Sequence, residues 1–180
     1  MTTNGVPDAV PDPEIRKRKA LEALDGLGIR TVVHEHPAVF TVEQAREHWR
    51  DIKAGHCKNL FLRNNKGDRH YLVIALIDTR VELKMLTRRL DEDRLGFASS
   101  ERLRRHLGVE AGSVSPLGLL HPGARAVRVV LDARLKDHAV LAFHPNVNTA
   151  TVEVAFDDVM KFLKWCGNDI RMLHLQGGES

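Results

Sequence analysis

The strongest constraint on this chain's fold is an unbroken apolar run, Leu72-Val73-Ile74-Ala75-Leu76-Ile77. A strand with one wet face alternates apolar and polar side chains, so a run with no polar break reads as a central strand covered on both faces. Just upstream lie a strand-like stretch, Asn59 to Arg63, and a turn signal, Asn64-Asn65-Lys66-Gly67-Asp68. Together they predict a hairpin whose second strand, from His70 to Ile77, sits deep in a sheet.

Such a strand needs covering elements, and the sequence supplies helix signals on both sides. Asp12-Pro13 starts a helix, with Asp as N-cap and Pro at the first helical position. Leu21, Leu24 and Leu27 form its buried stripe, and Gly26 and Gly28 end it. Thr41-Val42-Glu43-Gln44 is a capping box for a second, short helix. Thr79-Arg80-Val81-Glu82 reads as another, opening a helix to about Leu90. Ser99 or Ser100 caps a helix that ends near Gly108. The stretch Phe156 to Cys166 is amphipathic, with Val159, Phe162 and Leu163 inward and Gly167 just past its end. Further strands are expected from Thr31 to Pro37, Ala126 to Leu131, Ala139 to Phe143, Thr149 to Val154 and Ile170 to Leu175. Helices and strands are interspersed, and several strands look hairpin-linked. The expected class is α/β (α+β), with a mixed sheet and packed helices. Residues 1–12 read as a disordered lead and residues 13–180 as one domain, since no linker or internal repeat divides the 180 residues.

Composition narrows the function classes. Hydrophobic residues make up 43% and charged residues 28%, ordinary values for a soluble globular protein. No apolar run is long enough to span a bilayer, and the first residues lack the apolar centre of a signal peptide. A cytoplasmic protein without a membrane role is therefore expected. The two cysteines, Cys57 and Cys166, read as reduced thiols. A net charge of +3 permits contact with a polyanion without demanding it. No P-loop, GxGxxG or GxSxG occurs, so neither nucleotide chemistry nor a serine elbow has support. His34 and His36 share a strand face with His56-Cys57 downstream, but no CxxC or HExxH completes a ligand set. Neither a metal nor another cofactor is expected.

Three segments could carry chemistry. Lys58-Asn59 stands at the mouth of Leu60-Phe61-Leu62, where an ammonium could meet developing negative charge or a phosphate. Read alone, it fits better as an edge lysine that blocks aggregation beside an asparagine that shapes the strand start. Gly112-Ser113-Val114-Ser115-Pro116-Leu117-Gly118 is too rich in Gly, Ser and Pro for a helix or strand interior. Its backbone N–H groups could face an oxyanion, or it could be a plain surface connection. Phe143-His144-Pro145-Asn146-Val147-Asn148-Thr149 joins two strands. His144 there is a proton-transfer group, a pocket wall or a loop histidine that satisfies nearby backbone. Cys57 beside Lys58 suggests an activated thiol, but a lone cysteine is more often a small buried apolar residue. The basic clusters Arg16-Lys17-Arg18-Lys19 and Arg102, Arg104, Arg105 read as solvated helix faces, or as phosphate contacts if a nucleic acid binds.

Taken in order and spacing, these three segments, with Asn148-Thr149-Ala150-Thr151, resemble the YbaK/ProX family of trans-editing aminoacyl-tRNA deacylases, relatives of the editing domain of bacterial prolyl-tRNA synthetase. The likeness runs from about residue 15 to residue 175. It implies a mixed sheet partly closed into a barrel with helices around it. It also implies hydrolysis of a mischarged aminoacyl-tRNA at the acceptor end of proline tRNA, with prolyl-tRNA synthetase as a further partner. Lys58-Asn59 and His144-Pro145-Asn146 resemble the branch that acts on alanyl-tRNA(Pro). Cysteinyl-tRNA(Pro), another small mischarged amino acid, or tRNA binding without catalysis are the alternatives. By this resemblance Lys58, Asn59, Gly112 and His144 are the catalytic set. Ser113, Val114, Ser115, Pro116, Leu117, Gly118, Phe143, Pro145 and Asn146 would then bind substrate.

Overall fold

A computed structural model describes residues 9–176. In chain order the elements are α1 (Pro13–Gly26), β1 (Thr31–Glu35), α2 (Val42–His48), β2 (Gly55–Asn64), β3 (His70–Leu76), α3 (Leu83–Arg89), β4 (Leu95–Phe97), α4 (Ser100–Leu107), β5 (Arg128–Asp132), β6 (Val140–Phe143), β7 (Ala150–Ala155), α5 (Phe156–Cys166) and β8 (Ile170–Leu173). Short 3-10 turns lie at Pro116–Leu120, Pro122–Ala124 and Ala133–Asp137. The expected N-terminal lead lies mostly outside the described residues.

The apolar run behaves as its pattern predicts. All seven residues of β3 are buried. Leu72, Ile74 and Leu76 face a core shared with Leu24, Leu107, Leu117 and Phe162, while Tyr71, Val73 and Ala75 face a second core with Leu86, Leu90 and Leu95. Each fully buried large aliphatic side chain contributes roughly 1.5–3 kcal/mol of transfer free energy, so both faces of this strand hold the fold together.

The strand order is β1-β7-β6-β2-β3-β5-β8, with β4 also paired to β2. β2 runs antiparallel to β3 and β4 and parallel to β6, and β3-β5 and β5-β8 are parallel, so the sheet is mixed. β2 decides where a site can form. One of its edges is paired to β3 from Cys57↔Leu76 to Arg63↔His70. Its other edge pairs β6 only at Gly55 and His56, and β4 only from Leu62 to Asn64. Between them, Cys57 to Phe61 have no strand on that side among the described residues. The sheet is split there.

Several local signals appear as read. The Asp12 side chain accepts from the Glu14 N–H at 2.9 Å, the Thr41 capping box is complete, and Gly108 and Gly167 close α4 and α5 in left-handed conformation. The Thr79 capping box does not form. α3 begins at Leu83, with Glu82 as N-cap and no side-chain cap bond. Thr79 is instead fully buried and bonds the carboxylate of buried Asp132 at 2.6 Å. A buried carboxylate needs a donor more than a surface helix needs a cap, so the tertiary partner wins. The segment read as neither helix nor strand interior, Gly112–Gly118, forms a 3-10 turn from Pro116 onward, capped by the Ser115 hydroxyl on the Leu117 N–H at 3.0 Å. β4 was not legible: Leu-Gly-Phe is too short to show a period.

Candidate active site

A cavity of about 240 Å³ lies at the split in the β2 edge. Lys58 and Asn59 reach it from β2, His144 from the end of β6, and Gly112 and Val114 from the connection after α4. Val39 to Val42, Ala45 and Trp49 form the remaining wall. The strand pairing explains the convergence: where β6 leaves β2 after His56, the loop beyond β6 turns away and opens a space between them.

Lys58 has no ion pair among the described residues. Partial burial lowers its pKa, with Asp78 and Asp132 acting against that trend. Those carboxylates have closer partners, Arg134 for Asp78 at 3.6 Å and Thr79 for Asp132. The ammonium therefore stands ready for an anionic or strongly dipolar ligand. Beside it, the Asn59 Oδ1 is buried with no hydrogen-bond partner. A native buried acceptor without a donor calls for an explanation.

His144 is held through its Nδ1, 2.9 Å from the Ala150 carbonyl oxygen. A carbonyl only accepts, so Nδ1 carries the hydrogen and the neutral ring keeps a lone pair on Nε2. Burial lowers the His144 pKa; the Ala150 bond opposes this and neighbouring His36 reinforces it. The ring is thus an acceptor in the cavity wall near neutral pH. Gly112 has φ +86, a left-handed value that glycine adopts without strain, and a Cβ there would meet nothing within 4 Å. Conformation, not crowding, is what makes glycine the fitting residue. Among the described residues neither the Gly112 nor the Val114 N–H has an intramolecular acceptor. Two such donors at one cavity can stabilise an oxyanion.

The other expected binding residues sit elsewhere. Ser113, Ser115, Leu117, Phe143 and Asn146 are buried, and Leu117 and Phe143 belong to the main core. Pro116, Gly118 and Pro145 are buried as well and do not line the cavity. Sequence reasoning missed the wall from Val39 to Trp49. Its scaffold is Thr151, 1% exposed, whose hydroxyl bonds the His36 Nε2 at 3.0 Å and accepts from the Trp49 indole at 3.2 Å. The Val39 N–H donates to the Asn148 carbonyl at 3.1 Å, tying this wall to the His144 turn. The Thr41 capping box marked the helix but not which pocket it would face.

Cys57 lines the cavity as a buried thiol whose pKa burial raises to about 12, and its Sγ lies 3.5 Å from the Gly55 carbonyl. A neutral thiol at physiological pH is a poor nucleophile. Among the described residues no group of three or more His, Cys, Asp or Glu could hold a metal ion; His34 pairs with Glu153 at 2.6 Å, and His56 stacks on Trp49 at 4.5 Å. The basic clusters are largely engaged internally. Lys17 pairs with Glu14 and Glu35, Arg18 with Glu22, Arg104 with Glu110 and Arg105 with Glu101, while Arg102 donates to the Gly67 carbonyl. By contrast, Arg46 and Arg50 line a depression that shares Trp49 and Ile77 with the cavity.

A family model described as the aminoacyl-tRNA editing domain matches residues 36–162, a span that contains Lys58, Asn59, Gly112, Val114 and His144. The chain belongs to this family. It is 37% identical to the prolyl-tRNA editing protein ProX of Acetoanaerobium sticklandii, over 88% of this chain and 97% of that one. It is 38% identical to the prolyl-tRNA synthetase associated domain-containing protein 1 of Bos taurus, over 84% of this chain and 91% of that one. A crystal structure of a candidate trans-editing enzyme for prolyl-tRNA synthetase superposes with a TM-score of 0.72 at 22% identity, covering 93% of this chain and 99% of the other. That likeness establishes the editing-domain fold, including its mixed sheet. Among the described residues no helix is long and apolar enough to cross a membrane.

Proposed function

We propose that the chain is a trans-editing aminoacyl-tRNA deacylase that hydrolyses alanyl-tRNA(Pro) to alanine and free tRNA. The observation that carries this reading is that Lys58, Asn59, Gly112, Val114 and His144, brought from three separate parts of the chain, line one cavity. The family and its prolyl-tRNA editing relatives support the reaction class.

Each group has a physical task. The aminoacyl ester is activated and needs position, water and charge stabilisation. Water adds to the ester carbonyl, the Gly112 and Val114 N–H groups hold the developing oxyanion, and the bond to the terminal ribose oxygen breaks as that oxygen takes a proton. Asn59 accepts from the α-ammonium or a ribose hydroxyl. His144, with its lone pair on Nε2, accepts a second hydrogen bond and orients the substrate or water; its lowered pKa suits this role better than storage of a proton. Lys58 contacts the tRNA end through phosphate or ribose oxygen. Arg46 and Arg50, in the adjoining depression, are the candidate contacts for the next phosphates, with the cytoplasm as the working compartment and prolyl-tRNA synthetase as the upstream partner. Proline, larger than alanine, is rejected by size, as in a second sieve.

The test is a panel of proline tRNA carrying alanine, cysteine, serine or proline, with loss of ester followed for the wild type and Lys58→Ala. Rapid loss of alanine alone, abolished in the variant, is expected. Preferential loss of cysteine or serine moves the specificity within the family. Unchanged esters with intact tRNA binding would sink the enzymatic reading.

A further inference from the structure

A second cavity, of about 120 Å³, lies between α1, the end of α4, the Pro116–Leu120 turn and the loop after β6. It shares no lining residue with the first. Its walls are mostly apolar, with Leu107, Leu117 and Leu120, yet two polar groups in them lack partners. Asn146 is 7% exposed, and its Oδ1 is buried without a donor. Arg16 has both Nε and Nη1 buried without an acceptor. Lys19 adds a second cation to the lining, and among the described residues no carboxylate lines the cavity. Of the two carboxylates that act on the Arg16 charge, Glu110 is paired with Arg104 at 3.3 Å and Asp12 accepts from the Glu14 N–H at 2.9 Å. His121 cannot serve Arg16 either, because its Nδ1 already accepts from the Gly123 N–H at 3.2 Å.

Both unpartnered groups are held in place rather than stranded by loose packing. Asn146 stands at φ 61, a left-handed conformation that few non-glycine residues adopt, in the turn that carries His144. Arg16 sits one helical turn from fully buried Ala20, so α1 cannot rotate it outward without exposing that stripe. Buried guanidinium nitrogens without acceptors call for an anion, even on a half-buried side chain, and a buried amide oxygen calls for a donor. A cavity of about 150 Å³ accommodates a molecule the size of benzene, so this one suits roughly six heavy atoms. One chemical class meets all three demands: a small molecule with a carboxylate at one end, an N–H donor beside it and little else.

We propose that this cavity is a second ligand site, distinct from the editing cavity, that binds a free small α-amino acid, with its carboxylate on Arg16 and its ammonium on the Asn146 Oδ1. The free amino acid is the kind of molecule that editing releases, and the site lies two residues along the chain from His144, so occupancy reaches the catalytic turn through its own backbone.

The test is a titration of the full-length, isotopically labelled protein with L-alanine and L-proline, followed through the amide resonances of Gly108 and Leu120. Acetate, methylammonium and inorganic phosphate are run in parallel. Saturable shifts with an amino acid at millimolar concentration are expected, with acetate and phosphate weaker by roughly tenfold, the worth of one good hydrogen bond. Arg16→Gln should abolish the shifts. Asn146→Gly, which keeps the left-handed backbone while removing the amide, should weaken them roughly tenfold. Lys58→Ala should leave them intact. Absent shifts, equal shifts with acetate or phosphate, or shifts lost in Lys58→Ala would each overturn the proposal, the last by tracing the signal to the editing cavity.

Discussion

At the turn end of β2, Asn64 is 3% exposed, and its Oδ1 accepts from the N–H groups of Gly67, Asp68 and Arg69 at 2.9, 3.2 and 3.1 Å. Its amide nitrogen donates to Asp68 at 2.7 Å, and nearby Arg102 donates to His70 at 2.8 Å and to the Gly67 carbonyl at 2.7 Å. At the split end of the same strand, among the described residues, Lys58 has no ion pair and the Asn59 Oδ1 has no donor. Two asparagines five residues apart thus sit in opposite states. The first is a structural part, because folding satisfies it. The second is left for something that folding does not supply. Full satisfaction of buried polar groups is the rule in native proteins, so a strand that obeys it at one end and breaks it at the other accords with the proposal that its ligand is met at the split end.

The comparison breaks most sharply if Lys58 proves structural. Lys58→Met keeps the apolar stem and removes only the charge. Deacylation should fall by about 10²–10³, the scale for losing one charge-stabilising group at an active site. Thermal stability should hold or rise slightly, because an unpaired, partly buried cation is removed. A variant that unfolds easily yet edits normally would place Lys58 with Asn64.

The next effect belongs to the satisfied end and is read by pH. Burial lowers the His70 pKa to about 4, with His106 and Arg102 adding to the shift. The folded protein therefore favours the neutral ring, which accepts from Arg102, while the unfolded chain protonates near the ordinary histidine value. Stability from this residue is complete above about pH 6.5 and is lost as pH falls toward 4, by about 3 kcal/mol over the full range. Urea unfolding at pH 7 and pH 4.5 measures it. His70→Gln should lose about 2 kcal/mol less than the wild type between those values. Parallel curves would mean that the ring is already charged in the fold.

Asn64→Ala follows. It removes three backbone acceptances and one donation at a turn, so a loss of about 2 kcal/mol is expected, with kcat/KM on mischarged tRNA unchanged. A drop in deacylation without a change in stability would overturn the division between the two ends.

How much of this was legible depends on the range of the interaction. The run Leu72–Ile77 announced a covered central strand because burial on two faces leaves a mark in the residues themselves. The Asp12, Thr41 and Gly167 caps were legible because their partners lie within a few residues. Thr79 misled because its partner, Asp132, is 53 residues away, and no local pattern shows that a carboxylate will be buried there. Lys58, Asn59, Gly112 and His144 stood out as an ordered set, but their meeting at one cavity depends on β6 leaving β2 after two residues, a property of pairing and not of composition. The Val39–Trp49 wall was missed for the same reason: Thr151, which orients it, joins it only through the sheet.

The finest test compares two glycines. Gly112 and Gly167 have φ +86 and +77, and a Cβ at either would meet nothing within 4 Å. Alanine at each position therefore carries the same backbone penalty, about 1–2 kcal/mol, and no steric clash. Gly167 only closes α5, so Gly167→Ala should lose that stability and edit normally. Gly112→Ala should lose a similar amount and also slow deacylation, since relief of the strain turns the Gly112 and Val114 N–H groups away from the oxyanion position. Matching stability losses with unequal rates would separate conformation from catalysis at this loop. Matching rates would reduce Gly112 to a turn residue and remove the Gly112 and Val114 N–H groups from the reaction.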